Sequence, residues 1–274
     1  MSQLSAPQIR RRKRRNGAEP IVMVTAYDEP GARYVDAAGV DMILVGDSVA
    51  NVMLGHEDTM HVSVEEIAHH VRAVCAARPS AHVVADLPWL SYHVDRADTV
   101  RNAATLIRAG ASSVKLEGGR VRVEMITALV DAEIPVMGHL GLTPQSVLAF
   151  GGFKVQGKTR EAAKMLVEDA LALEAAGVYA MVVEGVPSEV GRWITEATSV
   201  PVIGIGAGAD TDGQVLVFHD LLGMSNRTPA KFVRQYADLG AAITEAVSRY
   251  TADVRGGHFP GPDETYATPP ELLD

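Results

Sequence analysis

The chain has 274 residues, 47% of them hydrophobic and 22% charged, and a net charge of -9. That length and composition suit a soluble globular protein able to bury its own core, and the negative balance argues against a general nucleic-acid binder. Cys75 is the only cysteine, which excludes an internal disulfide or a cysteine-based zinc cluster and favours a reducing, cytoplasmic setting. No apolar run approaches the roughly 18 residues needed to span a bilayer, and no signal peptide is visible.

The chain begins with a basic run, Arg10-Arg11-Arg12-Lys13-Arg14-Arg15. Such a run suits a nucleic-acid arm or a targeting signal, but at a terminus it reads first as a solvated segment leading into the first strand. One theme then repeats: a short apolar run, a helical pattern, another apolar run. The apolar runs are Ile21–Tyr27, Met42–Asp47, His82–Pro88, Ser113–Gly118, Pro135–Leu140, Ala180–Val186, Pro201–Ala207 and a last one near Val215–Asp220. Their nearly continuous apolar character predicts strands buried on both faces. Between them, Ile67, Val71, Val74 and Cys75 fall at helical spacing, as do Leu166, Ala170, Leu173 and Gly177. Ser63-Val64-Glu65-Glu66 is a capping-box pattern at the start of the first of these helices.

Alternating strands and helices imply a parallel sheet, and eight units in one chain favour a closed (β/α)8 TIM barrel over an open doubly wound sheet. The seventh unit is the weak point, because few residues separate Ala207 from Val215. No linker divides the chain. It reads as a single domain over 1–274, with an N-terminal basic segment (1–18) and a C-terminal tail (251–274).

In a barrel, chemistry sits at the C-terminal ends of the strands. Strand two ends in Gly46-Asp47-Ser48, strand three in Asp86-Leu87-Pro88, strand five in His139, and strand six reaches Glu184. Strand four carries Lys115 and Glu117, whose spacing puts both on one face, toward the barrel interior. Asp47, Asp86 and Glu117 offer hard oxygen donors suited to Mg²⁺. Each has a plainer reading: loop capping for Asp47 and Asp86, a salt bridge for Glu117. Lys115 beside such a site can pair with a substrate carboxylate, or form a Schiff base, which neighbouring acids would oppose. Glu184 lies between apolar residues, where a carboxylate becomes a stronger base, although a buried ion pair would look the same. His139 can donate a hydrogen bond to substrate or serve structure alone. Gly204-Ile205-Gly206-Ala207-Gly208 resembles a phosphate loop, but no clear helix follows, so it reads as a tight turn at the barrel end.

Together these segments resemble the ketopantoate hydroxymethyltransferase family. The resemblance is carried by Thr25-Ala26-Tyr27-Asp28, Val45-Gly46-Asp47-Ser48, Ala85-Asp86-Leu87-Pro88 and Val114-Lys115-Leu116-Glu117-Gly118-Gly119. It continues through Gly138-His139-Leu140-Gly141-Leu142-Thr143-Pro144-Gln145-Ser146, Gly151-Gly152-Phe153-Lys154-Val155-Gln156-Gly157, Glu184-Gly185-Val186-Pro187 and the glycine-rich turn at 204–208. His61, Gly185 and Glu264-Thr265-Tyr266 depart from the family pattern. The resemblance implies a (β/α)8 barrel, Mg²⁺ dependence, 5,10-methylenetetrahydrofolate as one-carbon donor to 3-methyl-2-oxobutanoate, and a homodecamer. By motif position it implies Asp47, Asp86 and Glu117 as metal ligands, and Asp47, Ser48, Asp86 and Lys115 as contacts to the oxo acid. It makes Glu184 the proton acceptor. Three rivals remain at this level: a metal-dependent lyase or mutase barrel without folate, a Schiff-base aldolase using Lys115, and a non-catalytic relative.

Overall fold

The computed structural model describes residues 3–225, 228–269 and 271. The eight strands are β1 (Ile21–Thr25), β2 (Met42–Val45), β3 (His82–Asp86), β4 (Ser113–Glu117), β5 (Val136–Gly141), β6 (Ala180–Glu184), β7 (Val202–Ile205) and β8 (Gly213–Leu216). All pair in parallel, in chain order, and β1 pairs with β8. The sheet is therefore a closed barrel, and the open alternative is excluded.

The helices are α1 (Ala6–Arg10), α2 (Glu29–Ala37), α3 (Val49–Val52), α4 (Val64–Ala76), α5 (Arg96–Arg108), α6 (Val123–Asp131), α7 (Val147–Phe150), α8 (Arg160–Ala175), α9 (Ser188–Ala197), α10 (Phe218–Leu221) and α11 (Leu239–Gly256). Ser63 opens α4 with the expected capping box: its Oγ accepts from the Glu66 N–H, and the Glu66 carboxylate accepts from the Ser63 N–H. Such reciprocal caps satisfy two orphan donors.

The period-2 alternation of the strands sorts their side chains into two cores. Met23, Met42, Leu44, Val84, Met137, Val182, Ile203 and Val215 fill the barrel interior. Ile43, Val45, Val83, Ala85, Val114, Leu116, Val136 and Val183 face outward and are buried with the inner stripes of the helices. Most strand residues are thus apolar on both faces, and the charged carboxylates cluster at or just beyond the C-terminal ends of β2, β3, β4 and β6.

Two expectations are corrected. The basic run is not simply solvated. Ile9 is fully buried with the interior residues, and Lys13 is 1% exposed. The Lys13 ammonium donates to Asp212 Oδ2 at 2.7 Å and to the Val200 carbonyl at 3.0 Å, while the Arg14 N–H donates to Asp212 Oδ1. Arg12 pairs with Asp41 at the start of β2. The segment is a latch on the N-terminal end of the barrel, and charge alone hid this because the partners lie far along the chain. The eighth strand also begins earlier than expected, at Gly213. Among the described residues no helix joins β7 to β8; the connection is a turn over 206–212. Gly213 fits there because a Cβ would come 2.3 Å from the Ile21 carbonyl oxygen of the neighbouring strand.

The chain divides into two compact units, Met1–Phe218 with Ala230–Val233, and His219–Pro229 with Arg234–Asp274. The barrel lies in the first. The second is built on α11, capped by the Asp238 carboxylate accepting from the Ala241 N–H and ended by Gly257 at φ 70°. This helix runs through position 251, where a tail was expected to begin. Among the described residues no helix is long and apolar enough to cross a membrane.

Candidate active site

The C-terminal ends of β1 to β8 surround a cavity of about 190 Å³. Asp47, Ser48, Asp86, Lys115, Glu117, His139 and Glu184 all line it. The strand register explains the gathering: Asp86 sits opposite Lys115 and Glu117 opposite His139, on strands whose alternate residues point inward. Gly141 lets β6 approach here, since a Cβ on it would lie 2.2 Å from the Glu184 carbonyl oxygen.

Four carboxylates, those of Asp47, Asp86, Glu117 and Glu184, share this space with one ammonium and one imidazole. Lys115 Nζ lies 2.7 Å from Asp86 Oδ1 and 3.9 Å from Glu117 Oε1. The Glu117 Oε1 atom is also 3.2 Å from His139 Nδ1, and His139 Nε2 is 3.3 Å from Glu184 Oε2. These are ion-pair distances without hydrogen-bond alignment, and Glu117 Oε1 and His139 Nε2 are both buried. Asp86 Oδ2 accepts from the Asp47 N–H at 3.0 Å. Tyr27 and Ser48 hydroxyls are 2.8 Å apart, holding Ser48 at the rim.

The electrostatics follow from burial and crowding. Burial pushes the Asp47 carboxyl well up, and the charges of Asp86 and Glu117 push it further. Burial also raises Asp86, against the pull of Lys115. For Glu117, burial is outweighed by His139 and Lys115, and the carboxyl is held down. Burial and Lys115 disfavour the His139 imidazolium, but Glu117 and Glu184 prevail and raise it to about 9. Burial likewise opposes the Lys115 ammonium, but Asp86, Glu117 and Asp47 outweigh it and push its pKa up. A lysine so held is a poor Schiff-base nucleophile, because the free amine is scarce.

An excess of buried carboxylate invites a cation. Asp86 Oδ1 has only the Lys115 ammonium at 2.7 Å, and Glu117 Oε1 only the Lys115 and His139 contacts at 3.9 and 3.2 Å, and buried carboxylates are costly unless they are paired or hold a metal. Among the described residues, no three His, Cys, Asp or Glu side chains are grouped so as to hold a metal ion by themselves. Mg²⁺ needs no such group: it takes one or two carboxylates and completes its shell with water and substrate oxygens. The carboxylates of Asp47, Asp86 and Glu117 supply oxygens of the kind it takes.

The sequence reading missed two residues here. Gln145 is buried beside the carboxylates of Asp47 and Glu117 and donates to both, and Tyr92 is buried beside Gln145, bonded to its amide oxygen and to the Glu117 backbone N–H. Gln145 stood inside the quoted segment at 138–146, but an uncharged amide in a loop gives no sign of its partners.

A sequence profile of the ketopantoate hydroxymethyltransferase family matches residues 3–262. The chain belongs to the ketopantoate hydroxymethyltransferase family. It is 52% identical over 275 residues to the 3-methyl-2-oxobutanoate hydroxymethyltransferase of Syntrophomonas wolfei subsp. wolfei, covering 100% of this chain and 99% of that one. It is 56% identical over 249 residues to the protein of that name from Methylobacterium sp. (strain 4-46), covering 91% and 86%. As a ketopantoate hydroxymethyltransferase family member it is a transferase enzyme. Its fold is also that of 2,3-dimethylmalate lyase, a PEP mutase/isocitrate lyase superfamily member, with a TM-score of 0.61 at 19% identity over 98% of this chain and 94% of that one.

Proposed function

We propose that this family member transfers a hydroxymethyl group from 5,10-methylenetetrahydrofolate to 3-methyl-2-oxobutanoate, giving 2-dehydropantoate in pantothenate and coenzyme A biosynthesis. The observation that carries the reading is the single small cavity holding Asp47, Asp86, Glu117, Lys115 and Glu184 together. Its volume suits a small oxo acid, and the names of the relatives support that substrate.

Asp47, Asp86 and Glu117 would hold Mg²⁺, which supplies Lewis-acid stabilisation of negative charge developing on the substrate carbonyl oxygen. Lys115, kept cationic by its neighbours, pairs with the substrate carboxylate. Asp47, Ser48, Asp86 and His139 bound the remaining polar edge of the substrate. Glu184 removes the C3 proton. It is the least buried of the three glutamate and aspartate side chains nearest His139 and Lys115, at 15% exposure, so the proton has a path to water. The C3 carbon then bonds to the methylene carbon of the folate donor, and water supplies the hydroxyl oxygen as tetrahydrofolate leaves. The active form would be a cytoplasmic homodecamer, which sedimentation tests directly.

The deciding measurement is C3 proton exchange of 3-methyl-2-oxobutanoate in deuterated water, followed by NMR. Exchange should occur with Mg²⁺, stop with EDTA, and give way to 2-dehydropantoate once methylenetetrahydrofolate is added. A folded protein that exchanges nothing in any condition would overturn the reading.

A further inference from the structure

Gln145 sits in the single turn Pro144–Ser146 that follows β5, and is 4% exposed. Its backbone N–H donates to Glu117 Oε2 at 3.0 Å. Its side-chain Nε2 donates to Asp47 Oδ2 at 2.8 Å and to the Leu87 carbonyl at 3.0 Å. Its Oε1 accepts from the Tyr92 hydroxyl at 2.6 Å. Tyr92, 1% exposed, accepts in turn from the Glu117 N–H at 3.2 Å.

Every partner of this amide is fixed by chemistry. A carbonyl and a carboxylate can only accept, so Nε2 must face them, and Oε1 is left for the tyrosine O–H. Both amide hydrogens are used. One residue thus grips two carboxylates from two strands, each by a single oxygen. The third carboxylate follows the same rule, because Asp86 Oδ2 is tied to the Asp47 N–H. Each of the three is tethered by one oxygen to a neutral N–H donor, while the other oxygen of Asp86 faces the Lys115 ammonium at 2.7 Å and that of Glu117 faces Lys115 and His139 at 3.9 and 3.2 Å. A donor that touches one oxygen of a carboxylate fixes the direction of the other, as outer-shell partners do around metal ions.

We propose that Gln145, oriented by Tyr92, is the positioning residue that sets the spacing and aim of Asp47 and Glu117 and so controls the affinity of the divalent-cation site. The inference rests on the metal reading given under the proposed function. It assigns Gln145 no contact with substrate. Loss of the amide frees the Asp47 side chain to rotate and adds the cost of ordering it to every binding event.

The test is Mn²⁺ binding, followed by its electron paramagnetic resonance signal, on the wild type, Gln145→Ala and Tyr92→Phe. Gln145→Ala should weaken Mn²⁺ binding by about 10- to 100-fold, the range found when outer-shell partners are removed. Tyr92→Phe, which deletes one hydroxyl, should weaken it less. In both, the Mn²⁺ concentration for half-maximal proton exchange should rise while the rate at saturating metal stays near wild type. A merely structural role would lower thermal stability without that split. Mn²⁺ affinity within about twofold of wild type in both variants would overturn the proposal, against the loss that metal-shell residues show. If the Ala variant does not fold, Tyr92→Phe carries the same test. A wild type that binds no Mn²⁺ would instead overturn the metal reading itself, and this inference with it.

Discussion

Lys115 and Asp86 form an ion pair of 2.7 Å with both side chains at most 4% exposed, at the point where β3 and β4 reach the mouth of the barrel. The pair is not charge-balanced by itself, because Asp47 and Glu117 crowd the same space. A fold selected for stability alone would have little use for three buried carboxylates around one ammonium, since buried ions seldom return their desolvation cost. The arrangement makes sense as a charged pocket awaiting a cation and an anionic substrate.

Lys115→Met should therefore do two separable things. Leaving Asp86 buried without its partner should cost about 3–5 kcal/mol of stability, the range for breaking a buried pair from one side. Urea unfolding measures this, and Lys115→Met with Asp86→Asn should recover part of it. The double variant should still bind 3-methyl-2-oxobutanoate more weakly than the wild type, because the ammonium that pairs with its carboxylate is gone. Because its acidic neighbours keep Lys115 protonated, borohydride should trap no substrate on the wild-type lysine. An adduct at Lys115 would return the Schiff-base reading to favour.

Glu184→Gln keeps the shape of the side chain and its neighbour His139, and removes the base. C3 proton exchange should fall by about 10²- to 10⁴-fold, the range for losing a positioned general base, while calorimetry shows the oxo acid still bound. Exchange at the wild-type rate would move the proton acceptor elsewhere in the cavity.

The fold was legible where a residue's role depends on its own strand. Period-2 alternation placed Lys115 and Glu117 on one inward face, and the strand ends named Asp47, Asp86, His139 and Glu184, because a parallel barrel sends every strand to the same rim. It was illegible where a role depends on a distant partner. Lys13 reads as a solvated charge until Asp212, 199 positions away, is brought beside it. The bond from Tyr92 to Gln145 spans 53 positions and involves no charge. Strand eight opens with Gly213 and Gln214, neither of which carries an apolar strand signal, so its start was read two residues late.

His82 lies fully buried at the opposite end of β3 from Asp86. Its Nδ1–H donates to the Leu4 carbonyl, which can only accept, so Nε2 is left to accept from the Ser113 hydroxyl; Ser113 also bonds Tyr179. Burial lowers its pKa. The unfolded chain, with a histidine pKa of about 6.5, therefore binds more protons than the folded one below that pH. Stability should be full above about pH 6.5 and fall as the pH drops through that value toward the lowered folded pKa. Urea midpoints between pH 7.5 and 5 should show this slope in the wild type and a flatter one in His82→Gln.

The latch at this same N-terminal end of the barrel gives the last prediction. Asp212 accepts from Lys13 Nζ, the Arg14 N–H and the Val202 N–H, so it joins the N-terminal segment to β7 and β8. Lys13→Met removes the only side-chain cation of that set and leaves the carboxylate with two backbone donors. Those two donors soften the loss, so the cost should fall near or below the lower end of the range for a broken buried pair, about 3 kcal/mol. The cavity lies at the far end of the strands, so exchange activity per folded molecule should be unchanged. Guanidinium unfolding and the exchange assay at low temperature read the two separately. Unchanged stability would mean that the Lys13 pair does not hold the segment, and that the apolar contacts of Ala6 and Ile9 close the interior.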